Sequence, residues 1–289
     1  MFTRCLLPFV LAVAAIATPF APANGAPLKA LIVDGQNNHN WKGTTPLIRD
    51  ILEETELFTV DVATSPPRGG DMSSFKPDFA AYDVVVSNYN GASWPEETRQ
   101  AFEEYIAGGG GLVVIHAADN AFGNWPAYNE MIGLGGWGGR NEKSGPYVYY
   151  QDDKLVRDTS PGRGGGHGSQ YPIQIVVREK QHPAVAKLPE RFMHSKEELY
   201  IKLRGPAKNM TVLATARSRD TKRDEPVLMA IDYGQGRVFH TVLGHGPHQF
   251  RSVALIVTLQ HGTEWAATGK VTQELPDDMP SADSASRRE

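Results

Sequence analysis

The chain predicts an α/β protein built on a doubly wound, mostly parallel sheet, with a glycine-rich insertion and a C-terminal β-hairpin. Two observations carry that prediction. Apolar runs short enough for strands alternate with segments of helical periodicity from Leu28 onward. One of those runs, Gly111-Leu-Val-Val-Ile-His116, is apolar throughout until it ends in an ionisable residue, as expected of a strand buried on both faces that opens into a crevice.

The elements follow in order. Leu28–Val33 reads as the first strand and residues 44–56 as a helix with Leu47, Ile48, Ile51 and Leu52 on one face. The polar stretch Asp34-Gly-Gln-Asn-Asn-His39-Asn-Trp41 lies between them. Residues 58–63 form a second strand, and residues 83–87 a third that runs into Asn88-Tyr-Asn90-Gly91. Pro95 opens the next helix and the glycines after Ala107 close it, the usual asymmetry of helix ends. A short helix spans 125–133. Ten glycines then fall between Gly135 and Gly168, too long a stretch for a plain connector and suited to a binding loop or lid. Strands return at 171–178, 199–203 and 211–216. A hairpin follows at 227–232 and 237–243 around Tyr233-Gly-Gln-Gly236, and a helix over 250–267 closes the domain. The tail 270–289, rich in Pro, Ser, Asp and Arg, is expected to be disordered.

The 289 residues are 40% hydrophobic and 21% charged with a formal net charge of −4, an ordinary globular balance with no excess of basic residues to attract nucleic acid. Residues 1–25 carry a basic start, an apolar middle and a small-residue end, so they read as a secretory signal peptide with cleavage between Ala23 and Ala26. The apolar stretch is shorter than the roughly 20 residues a bilayer span needs. The expectation is a periplasmic or secreted protein with no membrane span in its mature form. The one cysteine, Cys5, lies in that segment, so the single domain expected over 27–268, with its insertion at 134–170, has no thiol for a disulfide, a thiolate metal site or a nucleophile.

Nine histidines are present, and His39, His116, His182, His194, His245 and His248 fall at element ends rather than inside periodic runs. His167, among glycines, and His240, inside a strand, read as structural. His39, Trp41, Asn88, Asn90 and His116 all follow strands of one parallel sheet and should gather at one edge. They would offer imidazoles, amides for hydroxyl groups and an indole face for a sugar ring, although Asn88 and Asn90 could equally serve only to make their turn. His245 and His248, three residues apart, could share a metal, but no Glu stands between them in a His-Glu-x-x-His pattern. Glu197-Glu198 supplies a carboxylate pair, either a general base or an exposed charge pair. Asp119, Tyr200 and His248 complete the expected substrate contacts. Neither a phosphate-binding glycine loop nor a Gly-x-Ser-x-Gly elbow is present, which argues against nucleotide binding and serine hydrolase chemistry.

Gly111-Leu-Val-Val-Ile-His116-Ala-Ala118, His182-Pro-Ala-Val185, Glu197-Glu-Leu-Tyr200, Gly234-Gln-Gly-Arg237, Gly244-His245 and Glu264-Trp-Ala266 occur in this order. The set resembles the ThuA-like (trehalose-utilisation) family, whose flavodoxin-like fold is similar to that of class I glutamine amidotransferases. In those enzymes the position of His116 carries the cysteine nucleophile, so the resemblance implies that glutaminase chemistry is gone. It also implies a small-molecule carbohydrate substrate, a glycoside or 3-keto-glycoside. A ketone at C3 acidifies the hydrogen on C2, so His116 or Glu198 could abstract that proton while His245 acts as electrophile or metal ligand. A divalent metal held by His116, His245 and Glu198 would be Zn, Mn, Ni or Co, since the donors are imidazole and carboxylate without thiolate. The alternative is a carbohydrate-binding protein without catalysis, with Trp41 and Trp137 as stacking platforms. Oligomeric state is not legible.

Overall fold

The computed structural model describes residues 26–289, so the expected signal segment and Cys5 lie outside the described residues. The first half follows the predicted order: β1 (Leu28–Asp34), α1 (Trp41–Glu53), β2 (Phe58–Thr64), β3 (Val84–Ser87), α2 (Glu96–Ala107), β4 (Gly111–Ile115) and α3 (Pro126–Ile132). The insertion and second half add β5 (Tyr147–Gln151), β6 (Lys154–Asp158), β7 (Gly166–His167), β8 (Tyr171–Val177), β9 (Arg191–Glu197), β10 (Tyr200–Ile201), β11 (Met210–Arg217), β12 (Asp224–Tyr233), β13 (Gly236–Thr241) and α4 (Val253–Thr268).

The main sheet runs β2-β1-β3-β4-β13-β12-β11-β8-β9. Pairing is parallel from β2 through β13 and antiparallel beyond it. The chain moves one way along the sheet from β1 to β2 and the other way from β3 to β4, so right-handed crossovers place α1 and α2 on opposite faces. Helix α4 contacts α1, β4 and β13, whereas Trp125 beside α3 meets Phe102 of α2 with ring centroids 6.1 Å apart. Covered on both faces, β3 and β4 are buried at every residue, which is why their sequences are apolar without alternation.

Three departures from the predicted elements have local causes. Helix α1 begins at Trp41, three residues earlier than expected, because the Asn40 side chain caps it by accepting from the Gly43 N–H at 3.1 Å. The glycine-rich insertion is not a bare loop: β5 and β6 form a hairpin through Asp152 and Asp153, whose φ values of 51° and 55° suit a type I′ turn, and β7 pairs with β10. The segment 270–289, expected to be disordered, is laid along the body. Met193 N–H donates to Ser281 O at 2.9 Å, the Gln174 amide to Ala282 O at 2.7 Å, and Val253 N–H to Ser286 O at 3.1 Å. Backbone donors left open at the sheet edge and the start of α4 find their acceptors in the tail, which composition does not reveal.

Candidate functional site

Strands β1, β3, β4 and β13 are parallel and end at one edge of the sheet, where the order reverses direction between β1 and β3. The loops beyond them carry His39, Asn90, His116 and His245. His116 leaves β4 at φ 45°, a left-handed turn that a non-glycine residue adopts only when its surroundings enforce it. Its Nδ1 lies 2.6 Å from Val242 O, so Nδ1 carries the proton and donates, and the Nε2 lone pair is left facing the site. That Nε2 is buried and has no hydrogen-bond partner among the described residues.

Ligand atoms of His39, His116, Glu198 and His245 all lie within 4.8 Å of one another. Glu198 Oε2 is 3.0 Å from His245 Nδ1 and 3.8 Å from His116 Nε2. The rings of His39 and His245 meet edge to face at 4.5 Å, and Tyr200 stacks on His116 at 4.1 Å. Burial holds the imidazoles of His39 and His116 neutral, with pKa values lowered to about 4. Imidazoles beside a carboxylate are the donor set of a divalent cation. Four ligands around one tetrahedral ion at about 2.0–2.2 Å lie about 3.3–3.6 Å apart, so the widest pairs of the cluster would close by about 1–1.5 Å to hold one.

Glu197, fully buried, supports the cluster from behind. Its Oε2 accepts from the Gly244 N–H at 2.8 Å and lies 3.1 Å from His194 Nε2, while Oε1 accepts from the Glu198 N–H at 2.8 Å. Burial pushes this carboxyl up, but the bond and charge of His194, with His116 and the Gly244 N–H, outweigh it and hold it below the usual range.

The cluster opens into a cavity of about 320 Å³ walled by Asn38, His39, Asn90, Asn120, Trp137 and His167, with Glu198 and Tyr200 at its base. Of the expected residues, the fold therefore brings together His39, His116, Glu198, His245, Tyr200 and Asn90. Asn88 is absent from the wall because its amide is spent inside, donating to Thr44 Oγ1 at 3.0 Å and Thr45 Oγ1 at 3.1 Å. Trp41, the first residue of α1, lines a separate groove with Lys42, Thr45 and Arg49. Asp119 is fully buried, 3.4 Å from His240 Nε2, while His240 Nδ1 bonds Ile132 O at 2.9 Å, so both serve the interior. His248 lies beyond Gly246-Pro247 and is exposed, outside the cluster.

His167 is the residue that sequence reasoning misassigned to structure. Its Nδ1 lies 3.1 Å from Glu198 Oε1 and its ring faces Trp137 at 5.9 Å. The pairing Tyr200↔His167 between β10 and β7 delivers it, and no periodicity in the glycine-rich segment signals that pairing.

Among the described residues no helix is long and apolar enough to cross a membrane. A thua-like protein from Parabacteroides merdae ATCC 43184 is 48% identical, with a TM-score of 0.88 over 91% of this chain and 98% of that one. A thua-like protein from Bacteroides uniformis ATCC 8492, 21% identical, shares the fold at a TM-score of 0.61 over 89% of this chain and 98% of that one. A β-galactosidase from Rahnella sp. R3, 13% identical, has the fold within 33% of its length, with a TM-score of 0.50 over 88% of this chain. No curated protein matches the chain. With the family model for ThuA, trehalose utilisation, matching residues 29–266, the chain belongs to the ThuA family, with its class I glutamine amidotransferase-like fold and carbohydrate-related role.

Proposed function

We propose that the chain is an exported enzyme that processes glycosides or 3-keto-glycosides by His/Glu chemistry assisted by a divalent cation, Zn, Mn, Ni or Co. The observation that carries the proposal is the convergence of three imidazoles and one carboxylate within 4.8 Å at the base of a polar cavity large enough for a sugar. Export rests on the leader-like sequence of residues 1–25.

His39, His116, His245 and Glu198 would hold the cation, which when bound supplies Lewis-acid stabilisation of negative charge on the C3 oxygen. His116 is the better ligand than base, because burial has made it a weak one. His167, exposed to the cavity with its Nδ1 3.1 Å from Glu198 Oε1, is placed to take the C2 proton. The C2–H electron pair then moves into the enolate and returns to expel the C1–O bond, and the departing oxygen takes a proton. The products are an unsaturated keto sugar and the free alcohol, with no oxidant required. Trp137 offers an aromatic wall to the ring, and the amides of Asn38, Asn90 and Asn120 can bond its hydroxyls.

Elemental analysis of the purified protein, followed by turnover of oxidised and unoxidised disaccharides with and without chelator, tests the proposal. His116→Ala and Glu198→Gln should each lower turnover by about 10²-fold or more. Full turnover in both variants would overturn the mechanism, and binding of sugars without conversion would make the protein a carbohydrate receptor.

A further inference from the structure

Trp137 and His167 wall a second cavity as well, a groove of about 660 Å³ that adjoins the first. Its lining is cationic: Arg163, Lys202, Arg204 and Arg223 against the single carboxylate of Asp158. Asp158 is already engaged, accepting from the N–H of Ser160 at 2.9 Å and its hydroxyl at 2.6 Å. Among the described residues, none of the four cations has a carboxylate within 4.0 Å. In a chain with 33 acidic and 29 basic residues, such a concentration of unpaired positive charge is not a product of composition.

The cations are also held in place. Arg223 lies over the Tyr149 ring at 4.0 Å and the Tyr147 ring at 5.2 Å. Arg204 is buried, with one Nη donating to Ser160 O at 2.7 Å and the other to Gly145 O at 3.4 Å, while its Nε has no partner among the described residues. Fixed guanidinium groups with donors to spare recognise carboxylate and phosphate oxygens.

We propose that this groove binds an anionic group of the substrate, a carboxylate or phosphate on the sugar unit next to the one held at the His/Glu cluster. His167 faces both spaces, so the two subsites share one wall and a single acidic glycoside can span them. The inference rests on the reading of the cluster as a sugar site.

Calorimetric titration of the full chain with two matched pairs of disaccharides tests it: glucuronosyl-glucose against the corresponding diglucoside, and a diglucoside phosphorylated at O6 of one ring against the same diglucoside without the phosphate, with inorganic phosphate alone as a further probe. The acidic member of at least one pair should bind about tenfold or more tightly than its neutral partner. The pair that shows the gap identifies the group. The gap should shrink in the double variant Arg163→Gln, Lys202→Gln, whose side chains are exposed, and at high salt. Glu198→Gln should weaken both members alike and leave the gap. Equal binding within both pairs, a gap that survives the double variant, or inorganic phosphate binding as tightly as the acidic sugar would each overturn the groove proposal. Neutral sugars that bind Glu198→Gln as well as the native chain would instead overturn the reading of the cluster, whatever the acidic sugars do.

Discussion

Glu225 lies beneath the cationic groove and makes the stability of the protein depend on pH in a direction that can be worked out. It is 1% exposed and accepts from Tyr147 Oη, from Thr221 Oγ1 at 2.7 Å and from the Lys202 N–H at 3.2 Å. Burial outweighs these bonds and raises its pKa from 4.5 to about 7. Because the folded value is the higher one, its contribution to stability is fully present below about pH 4.5, falls between there and pH 7, and is lost above. At about 1.4 kcal/mol per pH unit, the loss over that interval is about 3 kcal/mol. Glu225→Gln cannot titrate, and it turns an amide nitrogen toward one of the three donors, which costs about 1–3 kcal/mol at every pH. Urea unfolding of both proteins, followed by tryptophan fluorescence from pH 4.5 to 8, separates the two effects. The native chain should lose about 3 kcal/mol relative to the variant across the range, beyond any constant offset. Parallel curves would show that Glu225 carries the same charge folded and unfolded and would refute the argument.

Two further outcomes follow from the site. Gly244→Ala should cost about 1–3 kcal/mol in denaturant unfolding, since Gly244 sits at φ +113° and an added Cβ would meet Ile115 and Phe250 at 3.1 Å. It should also lower turnover, because the Gly244 N–H holds Glu197. His167→Asn should lower turnover by about 10²-fold with the metal content of the purified protein unchanged, as His167 stands outside the four-ligand cluster; loss of metal would place it among the ligands instead.

Much of this was legible in the chain because parallel topology converts sequence position into spatial position. Uninterrupted apolar runs at β3 and β4 require a sheet covered on both faces, and strands in such a sheet send the loops after them to one edge. His39, Asn90 and His116 meet for that reason. The failures share another cause: position brings a residue near the edge, but hydrogen bonding decides whether its side chain stays free. Asn88 is consumed by two threonines, and Asp119 is turned into the interior beside His240. Several motifs behind the family resemblance turn out to fix packing. A Cβ on Gly236 would lie 2.1 Å from Ile106 O and one on Gly111 2.7 Å from Ala266 O, while Glu264 accepts from the Thr272 N–H at 2.7 Å.

The pair Glu197-Glu198 shows why chemistry at the site could be suspected from sequence yet not assigned. Two adjacent acids read as interchangeable, and as an exposed pair they would mean little. At the end of β9, successive side chains point to opposite sides, so the two carboxylates part company at once. One turns inward to take the Gly244 N–H and His194, and the other turns to His245 and His167. The division has a physical logic. A buried carboxylate with three partners is rigid, and because one of those partners is the Glu198 N–H, it fixes the backbone of its neighbour. Another is the Gly244 N–H, so it also anchors the loop that presents His245. Glu197 therefore positions two of the four cluster residues without facing the cavity, and Glu198 is left with both oxygens toward the groups that hold a cation and move a proton.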